Sequence, residues 1–281
     1  MIEENANNTL GFRKIMLVTH FEPDLDSCLG TWILKKFVFP NEQCVIRFVS
    51  MGEKLPDSET DEAAEVFYVD TSGGKYDHHG TDQYVCAASL IMEKHGLKDN
   101  QILNRMVSYA LLVDHGRVFE GDVSDFDILN VINGMNRLYP DNPGFVVEFI
   151  WNCFEAIYNS LENSVSAEEE MRQCMTFDTR WGKGCAIESS NKYVRYIAHR
   201  RGYVVFVYIN PRSGFRGFMA PGDSEVDFSE IYNKIKLMDP DAYWFLHESK
   251  QLLLCGSHKA PHKKLSNLSL SDLVSLVEDN S

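Results

Sequence analysis

Short apolar runs alternate with stretches of helical periodicity over the first part of the chain. The runs typical of buried parallel strands cover 14–19, 44–49 and 66–69. Apolar residues recur at helical spacing after Pro23, and again over 84–94 and 100–113. Strands that alternate with helices predict an α/β fold, with an N-terminal, mainly parallel sheet and flanking helices.

The pattern changes twice further along the chain. Helical periodicity dominates from 126 to about 175, with separate helices predicted at 145–161 and 167–175. Beyond Trp181, strands are predicted at 204–209, 242–246 and 252–254, and a final helix at 271–277. We therefore predict an N-terminal domain over 1–140, a helical connector over 141–180 and a smaller C-terminal α/β domain over 181–281.

The composition is that of a folded protein in water. Of the 281 residues, 44% are hydrophobic and 24% are charged, which excludes a disordered or fibrous chain. No apolar stretch approaches the ~20 residues that a membrane-spanning helix needs. Residues 1–9 are acidic and rich in Asn, without the basic and apolar regions of a signal peptide. The sequence therefore predicts a cytoplasmic protein without a membrane partner.

The charge is acidic overall but unevenly distributed. A net charge of −14 disfavours a general electrostatic binder of nucleic acid, because Lys and Arg drive affinity for phosphate. Basic residues are concentrated over 180–216 and again over 258–264. Within the 180–216 stretch of the sequence, Glu188 is the only acidic residue. This distribution fits a phosphorylated substrate held by the C-terminal third. A solvated basic face explains the charge equally well, so both interpretations stay open.

Acidic and imidazole side chains gather where predicted strands and one helix end. The loop after the first strand carries His20, Asp24 and Asp26, at the edge of an α/β sheet where ligands bind. Such Asp residues are also typical of a plain helix N-terminus, which they cap. The remaining positions are Asp70, Asp77, His78, His79 and Asp114. Together these groups predict a metal site, although each motif alone is compatible with an ordinary turn or helix end.

The order of these motifs is His-x3-Asp-x-Asp, then Asp, then Asp-His-His, then Asp, and it resembles the DHH phosphoesterase superfamily. That superfamily includes RecJ-type exonucleases, oligoribonucleases, cyclic-dinucleotide phosphodiesterases and family II inorganic pyrophosphatases. The resemblance covers about residues 14–115, and every motif is present. It implies a DHH catalytic domain over 1–140 and a substrate-binding domain over 181–281.

The resemblance implies two divalent metal ions that share one ligand. The first ion would be held by His20 and Asp24, with Asp70 as the bridge. The second would be held by Asp26, Asp70, His78 and Asp114. Mixed His and carboxylate ligation favours Mn²⁺, which the superfamily typically uses, with Mg²⁺ and Co²⁺ as alternatives. Two such ions lower the pKa of water and clamp the attacking and leaving oxygens.

Two further residues are implied in catalysis rather than in metal binding. His79 would contact the substrate phosphate and act as general acid, and Asp77 would hold an imidazole in the required tautomer. We therefore predict a metal-dependent phosphohydrolase that cleaves a phosphodiester or phosphomonoester of a short nucleotide. The alternatives are a single-strand-specific exonuclease and a non-catalytic module that retains metal and binds a nucleotide.

Two Gly-containing loops in the C-terminal third are the candidates for holding the substrate. One follows the strand predicted at 204–209 and carries Arg212 and Arg216, and the other carries His258 and Lys259. Backbone N–H groups and cations just after a strand suit a phosphate, although ordinary hairpin turns are the alternative. The Gly-Gly-Gly-His stretch common in nuclease members is reduced to Cys-Gly-Ser-His at 255–258, which leaves the substrate class open.

The expected partners follow from the charge and the resemblance. A phosphorylated small molecule or a short oligonucleotide is favoured over long nucleic acid, because the basic residues are confined to one region. A homodimer is compatible with the superfamily.

Overall fold

The structure is a computed structural model that describes residues 13–59, 64–118, 124–259 and 261–278. The chain divides into two compact units, Met1–Asn159 and Ser160–Ser281. The architecture is α/β, as the sequence predicts, with one small parallel sheet and one mixed sheet. Residues 1–9, on which the expectation of no signal peptide depends, lie outside the described residues.

The sheet of the first unit has three parallel strands. They are β1 (Lys14–His20), β2 (Gln43–Val49) and β3 (Ala64–Tyr68), in the order β2-β1-β3. The central strand β1 pairs with both neighbours and is buried at every position after Lys14. Burial on both faces explains why β1 is continuously apolar in sequence rather than alternating. The predicted parallel sheet is confirmed.

Five helices are described in the first unit, and the last of them runs into the second. They are α1 (Leu25–Ile33), α2 (Ala87–Lys94), α3 (Gln101–Asp114), α4 (Ile128–Leu138) and α5 (Pro143–Glu170). A π-helical turn, Leu34–Val38, extends α1, and a 3-10 turn covers Asp57–Glu59. No helix of the described residues is long and apolar enough to cross a membrane.

Helix α1 is buried along its whole length because it packs against β1, α2 and α3. Gly30 makes this packing close. A Cβ at this position would lie 2.8 Å from Cγ1 of Val69 and 3.1 Å from Cδ1 of Ile91. The glycine therefore lets α1 approach the chain just after β3, where Asp70 lies.

Helix α5 is one continuous helix, whereas the sequence predicted two helices with a break between them. Residues 162–166 are mostly polar but contain neither Gly nor Pro, so nothing in them ends a helix. The predicted end near 175 is also wrong. A 3-10 turn, Met171–Gln173, ends the helical segment, and a strand begins at Met175.

The second unit contains a mixed sheet of six strands in the order β4-β5-β6-β7-β9-β8. The strands are β4 (Met175–Thr179), β5 (Gly182–Glu188), β6 (Val205–Ile209), β7 (Arg216–Met219), β8 (Trp244–Leu246) and β9 (Leu252–Cys255). The helices are α6 (Val194–Arg200), α7 (Ser229–Met238) and α8 (Leu270–Glu278). β5 and β6 are parallel and joined through α6, and the other neighbours are antiparallel.

The sequence patterns did not predict β4, β5, β7, α6 or α7. β5 begins Gly-Lys-Gly and β7 begins Arg-Gly, residues that are more typical of turns than of strands. Close packing of β7 on β9 requires the glycine in β7, since a Cβ on Gly217 would lie 2.4 Å from the carbonyl oxygen of Leu253 on β9. Arg216 and Gly217, expected in a loop, therefore begin a central strand.

Candidate metal centre

The predicted metal ligands meet at one edge of the small parallel sheet. His20 is the last residue of β1, and Asp70 follows two residues after the end of β3. Because the carboxyl ends of parallel strands meet at the same edge, these two side chains lie close together. Asp114, the last residue of α3, reaches the same place. The fold thus assembles residues that are far apart in sequence.

One group of possible ligands consists of His20, Asp24 and Asp70. Nε2 of His20 lies 3.5 Å from Oδ2 of Asp70 and 3.9 Å from Oδ1 of Asp24. Asp24 is half exposed and also caps α1, where its Oδ1 accepts a hydrogen bond of 2.9 Å from the Ser27 amide. Asp24 therefore caps α1, as the sequence allowed, and it also lies near His20.

A second group consists of Asp26, His78 and Asp114. Nε2 of His78 lies 3.5 Å from Oδ1 of Asp114 and 3.7 Å from Oδ2 of Asp26. It is also 3.1 Å from Oδ1 of Asp70, which connects this group to the first. Asp70 is thus central to both groups, the position that the resemblance assigns to a bridging ligand.

Three atoms of this cluster are buried without a hydrogen-bond partner among the described residues. They are Nε2 of His20, Nε2 of His78 and Oδ1 of Asp70. Buried polar atoms are nearly always paired, and each unsatisfied one costs roughly 1–3 kcal/mol. Imidazole nitrogens and carboxylate oxygens that converge on one point without hydrogen bonds of their own are the donor set that a divalent cation binds.

The electrostatics of the cluster show how tightly the charges are packed. Burial lowers the pKa of His20, but the nearby carboxylates of Asp70 and Asp24 outweigh it and raise the pKa to about 9. The carboxylate of Asp70, followed by that of Asp114, also raises the pKa of His78 to about 9 against its burial. In the absence of metal, both imidazoles therefore hold a proton at neutral pH. A cation at this point takes the place of those protons.

Asp26 is held by the start of α2. Its two carboxylate oxygens accept hydrogen bonds from the amide of Ala87 (2.6 Å) and the amide of Ala88 (3.0 Å). Burial, together with the charge of Asp70, raises the pKa of Asp26 to about 7. The N-terminus of a helix stabilises a carboxylate, so α2 fixes Asp26 and partly offsets this cost.

The backbone at the site adopts unfavourable conformations. Asp70 and Ser72 have φ values of 57° and 64°, and Glu22, in the loop after β1, has 57°. A residue other than glycine in this region costs on the order of 1–3 kcal/mol, and such residues concentrate at functional sites. The amide of Asp70 donates to the carbonyl of Tyr76 at 3.0 Å, which holds the turn in place.

Asp77 and His79 form a pair at the rim of the cluster. Oδ1 of Asp77 accepts from Nδ1 of His79 at 2.7 Å and from its amide at 3.0 Å, while Oδ2 accepts from the Gly73 amide at 2.7 Å. His79 is half exposed, with its Nδ1 3.7 Å from Oδ1 of Asp70. The pairing fixes Nδ1 of His79, so its Nε2 is the atom left for a bound molecule.

Three residues next to the cluster were not predicted from the sequence. His115 places Nε2 3.7 Å from Oδ2 of Asp114 and 3.0 Å from the carbonyl of Val85. The ring of Tyr84 packs on His115 at 4.4 Å, and the guanidinium of Arg117 lies 4.0 Å from the centre of the Tyr84 ring. The sequence feature that could have identified His115 and Arg117 is the His-Gly-Arg run directly after Asp114.

The predicted substrate residues lie in the second unit, and the structure separates them. His258 and Lys259 line a cavity of about 420 Å³, called the larger cavity below, together with Lys192, Arg195 and the aromatic rings of Tyr208 and Phe215. Arg212 and Arg216 are not among the described residues that line it. Arg212 is exposed on the turn after β6, and the guanidinium of Arg216 donates to the carbonyls of Gly214 and Leu268.

Lys192 and Arg195 were recognised only as part of the basic stretch. They come to the larger cavity because α6 follows the end of β5, and neither element was predicted.

Comparison with known proteins adds no assignment. Neither a scan against protein-family models nor a search of curated proteins finds a match for this chain.

Proposed function

We propose that the chain is a divalent-metal-dependent phosphohydrolase of the DHH type that cleaves a phosphodiester or phosphomonoester in a short nucleotide. The observation that supports this most is the convergence of Nε2 of His20, Nε2 of His78 and Oδ1 of Asp70, all buried and without a hydrogen-bond partner. Carboxylates from both groups surround them. The two imidazoles contact Asp70 at 3.5 and 3.1 Å without hydrogen-bond geometry, and Asp26 and Asp70 are buried side by side, an arrangement that is costly unless cations complete it.

The residues present fit two divalent cations. His20, Asp24 and Asp70 would hold one, and the other would be held by Asp26, Asp70, His78 and Asp114. When bound, such cations supply Lewis acidity that makes water nucleophilic at neutral pH and neutralises phosphate charge. Imidazole with carboxylate suits Mn²⁺ in particular, since Mg²⁺ prefers oxygen ligands alone.

The chain's own contribution to the reaction centres on His79. Asp77 accepts from Nδ1 of His79, which leaves Nε2 of the ring for the substrate at an exposed rim. There Nε2–H would bind a phosphate oxygen and, as general acid, pass its proton to the leaving oxygen. The Asp77 carboxylate holds the ring in that orientation.

A small substrate agrees with the charge distribution. The net charge of −14 opposes wide contact with a polyanion, while Lys192, Arg195, His258 and Lys259 concentrate positive charge at one cavity of the second unit. Aromatic rings in the same cavity suit a nucleobase. We propose that these residues, rather than Arg212 and Arg216, hold the substrate.

The test is hydrolysis of a panel of phosphate esters with and without Mn²⁺. The panel contains a generic diester, linear and cyclic dinucleotides, pyrophosphate and a single-stranded oligonucleotide. We expect Mn²⁺-dependent cleavage that Asp70→Asn abolishes and the exposed control Asp99→Asn leaves unchanged. Cleavage of none of them by protein that binds Mn²⁺ would favour the non-catalytic module. Preference for the oligonucleotide, with strong salt dependence, would favour the exonuclease.

A further inference from the structure

The second unit contains another cavity, smaller than the one assigned to the substrate, that the proposed function does not use. Its volume is about 290 Å³, and its walls come from α6, from the end of β7 and from the β8–β9 turn. Neither His258 nor Lys259, the predicted substrate residues, is among its described lining. The residues that matter for its chemistry are Arg195, Tyr196, His199, Met219 and Leu252.

Two nitrogen atoms at this cavity lack partners. Arg195 and His199 lie one turn apart on α6 and both line the cavity. Nε of Arg195 and Nε2 of His199 are buried without a hydrogen-bond partner. Because neither atom reaches water, both bear the desolvation cost of an unmade hydrogen bond. Since both side chains line the cavity, an oxygen of a ligand bound there can serve as their missing partner.

The positive charge of Arg195 at this cavity favours a ligand that carries a single negative charge. The Arg195 guanidinium has no ion pair among the described residues; it packs 4.5 Å from the centre of the Tyr196 ring, and its Nη2 donates to the Tyr196 hydroxyl. Burial, and then the charge of Arg195, lowers the pKa of His199 against the opposing effect of Asp223. His199 is therefore neutral at pH 7 and donates from Nε2 in the tautomer that carries its proton there, while Arg195 carries a positive charge without an ion-pair partner among the described residues.

The remaining lining is apolar or already hydrogen-bonded. His247, Ser249 and Gln251 of the β8–β9 turn also line the cavity, but Nδ1 of His247 and Oγ of Ser249 bond to each other, and the Gln251 amide donates to the carbonyl of Ser224. Met219 and Leu252 are partly buried side chains of β7 and β9, and the ring of Tyr196 forms the side next to Arg195. A cavity with two donors at one wall and apolar side chains opposite is suited to an amphipathic ligand. A dianionic phosphate would meet only one cation here.

We propose that this cavity binds a small monocarboxylate with an apolar body, whose carboxylate bonds to Arg195 and His199 and whose body packs on Met219 and Leu252. Arg195 lines the larger cavity as well. A carboxylate that fixes its guanidinium here therefore changes the charge that the larger cavity presents, so the site is placed to act as an effector site.

The experiment is calorimetric titration of the full chain in EDTA, so that binding is measured independently of any metal-dependent activity. The probes are benzoate and 4-methylpentanoate, with benzamide and inorganic phosphate as comparisons. We expect both carboxylates to bind, and benzamide to bind about tenfold more weakly than benzoate or worse. His199→Phe should weaken benzoate by about tenfold, since a hydrogen bond to a charged group is lost.

The matched control is Arg200→Gln, on the same helix. Arg200 pairs with Glu168 and is not among the described residues that line the cavity, so this variant should bind benzoate normally. Circular dichroism checks folding, and His199→Leu, which also lacks a donor, replaces His199→Phe if the latter fails to fold. The proposal is overturned if neither carboxylate binds at 10 mM, on the order of the weakest affinity worth assigning. It is also overturned if phosphate binds more tightly than benzoate, or if both His199 variants bind benzoate normally.

Discussion

Replacing Asp26 tests whether this residue is a structural support of the site as well as a metal ligand. Both of its carboxylate oxygens accept amide hydrogen bonds at the start of α2, at 2.6 and 3.0 Å. The donors belong to Ala87 and Ala88, which are both fully buried. In Asp26→Ala no water reaches these amides, so their hydrogen bonds are not replaced.

The size of the effect follows from these two bonds. Each buried N–H left unsatisfied costs about 1–3 kcal/mol. Removing the carboxylate also relieves its repulsion from Asp70, which contributes to raising the pKa of Asp26 to about 7. We therefore expect Asp26→Ala to lower the free energy of unfolding by about 2–4 kcal/mol. Asp26→Asn keeps one acceptor oxygen and should lose about half as much.

The assay is urea unfolding in EDTA, with hydrogen exchange at the amides of Ala87 and Ala88 as a local measurement. Both amides should exchange faster in Asp26→Ala, and the exposed control Asp99→Ala should stay within about 0.5 kcal/mol of wild type. The reasoning is refuted if Asp26→Ala loses less than about 1 kcal/mol and the two amides keep their protection. In that case Asp26 would be a ligand without a structural role.

Three further predictions concern the metal, the general acid and the larger cavity. The pKa of His20 and that of His78 are raised to about 9, so Mn²⁺ displaces a proton from each at pH 7 and its affinity rises from pH 6 to pH 9. Titrations in buffers of different ionisation enthalpy should measure about two protons released at pH 7, and a pH-independent affinity would contradict this. His79→Ala should lower hydrolysis at least ~100-fold while Mn²⁺ still binds, and a parallel loss of Mn²⁺ would make His79 a ligand instead. Gly256 has φ 91°, and a Cβ there would lie 2.4 Å from Cδ1 of Phe215. Gly256→Ala should therefore lower the melting temperature, and an unchanged melting temperature would contradict the expected strain at this position.

The residues of the candidate site could be predicted because each lies where a recognisable element ends. β1 and the run before Asp70 are apolar on both faces, so their ends, and hence His20 and Asp70, could be located from sequence. Asp77, His78 and His79 could be predicted because they follow one another directly in the sequence. The contact between Asp26 and the amides of α2 could not be predicted, since it joins positions 61 and 62 residues apart.

The second unit was harder to predict for a physical reason. β5 and β7 contain glycines, Gly184 and Gly217, where a neighbouring ring or backbone approaches closely. From a single sequence, such glycines predict a turn rather than a strand. α6 is one of the shortest helices described and has no side-chain cap. Without β5 and α6, the positions of Lys192 and Arg195 at the larger cavity could not be deduced.

The central claim is that His20, Asp70 and His78 hold divalent cations. Calorimetric titration of the metal-free chain with Mn²⁺ tests it most directly, with Asp70→Asn and the surface control Asp99→Asn titrated in parallel. The account predicts two ions per chain for wild type and for the control, and at most one, bound far more weakly, for Asp70→Asn. Equal binding by wild type and Asp70→Asn, or no binding by the wild-type chain, would contradict it.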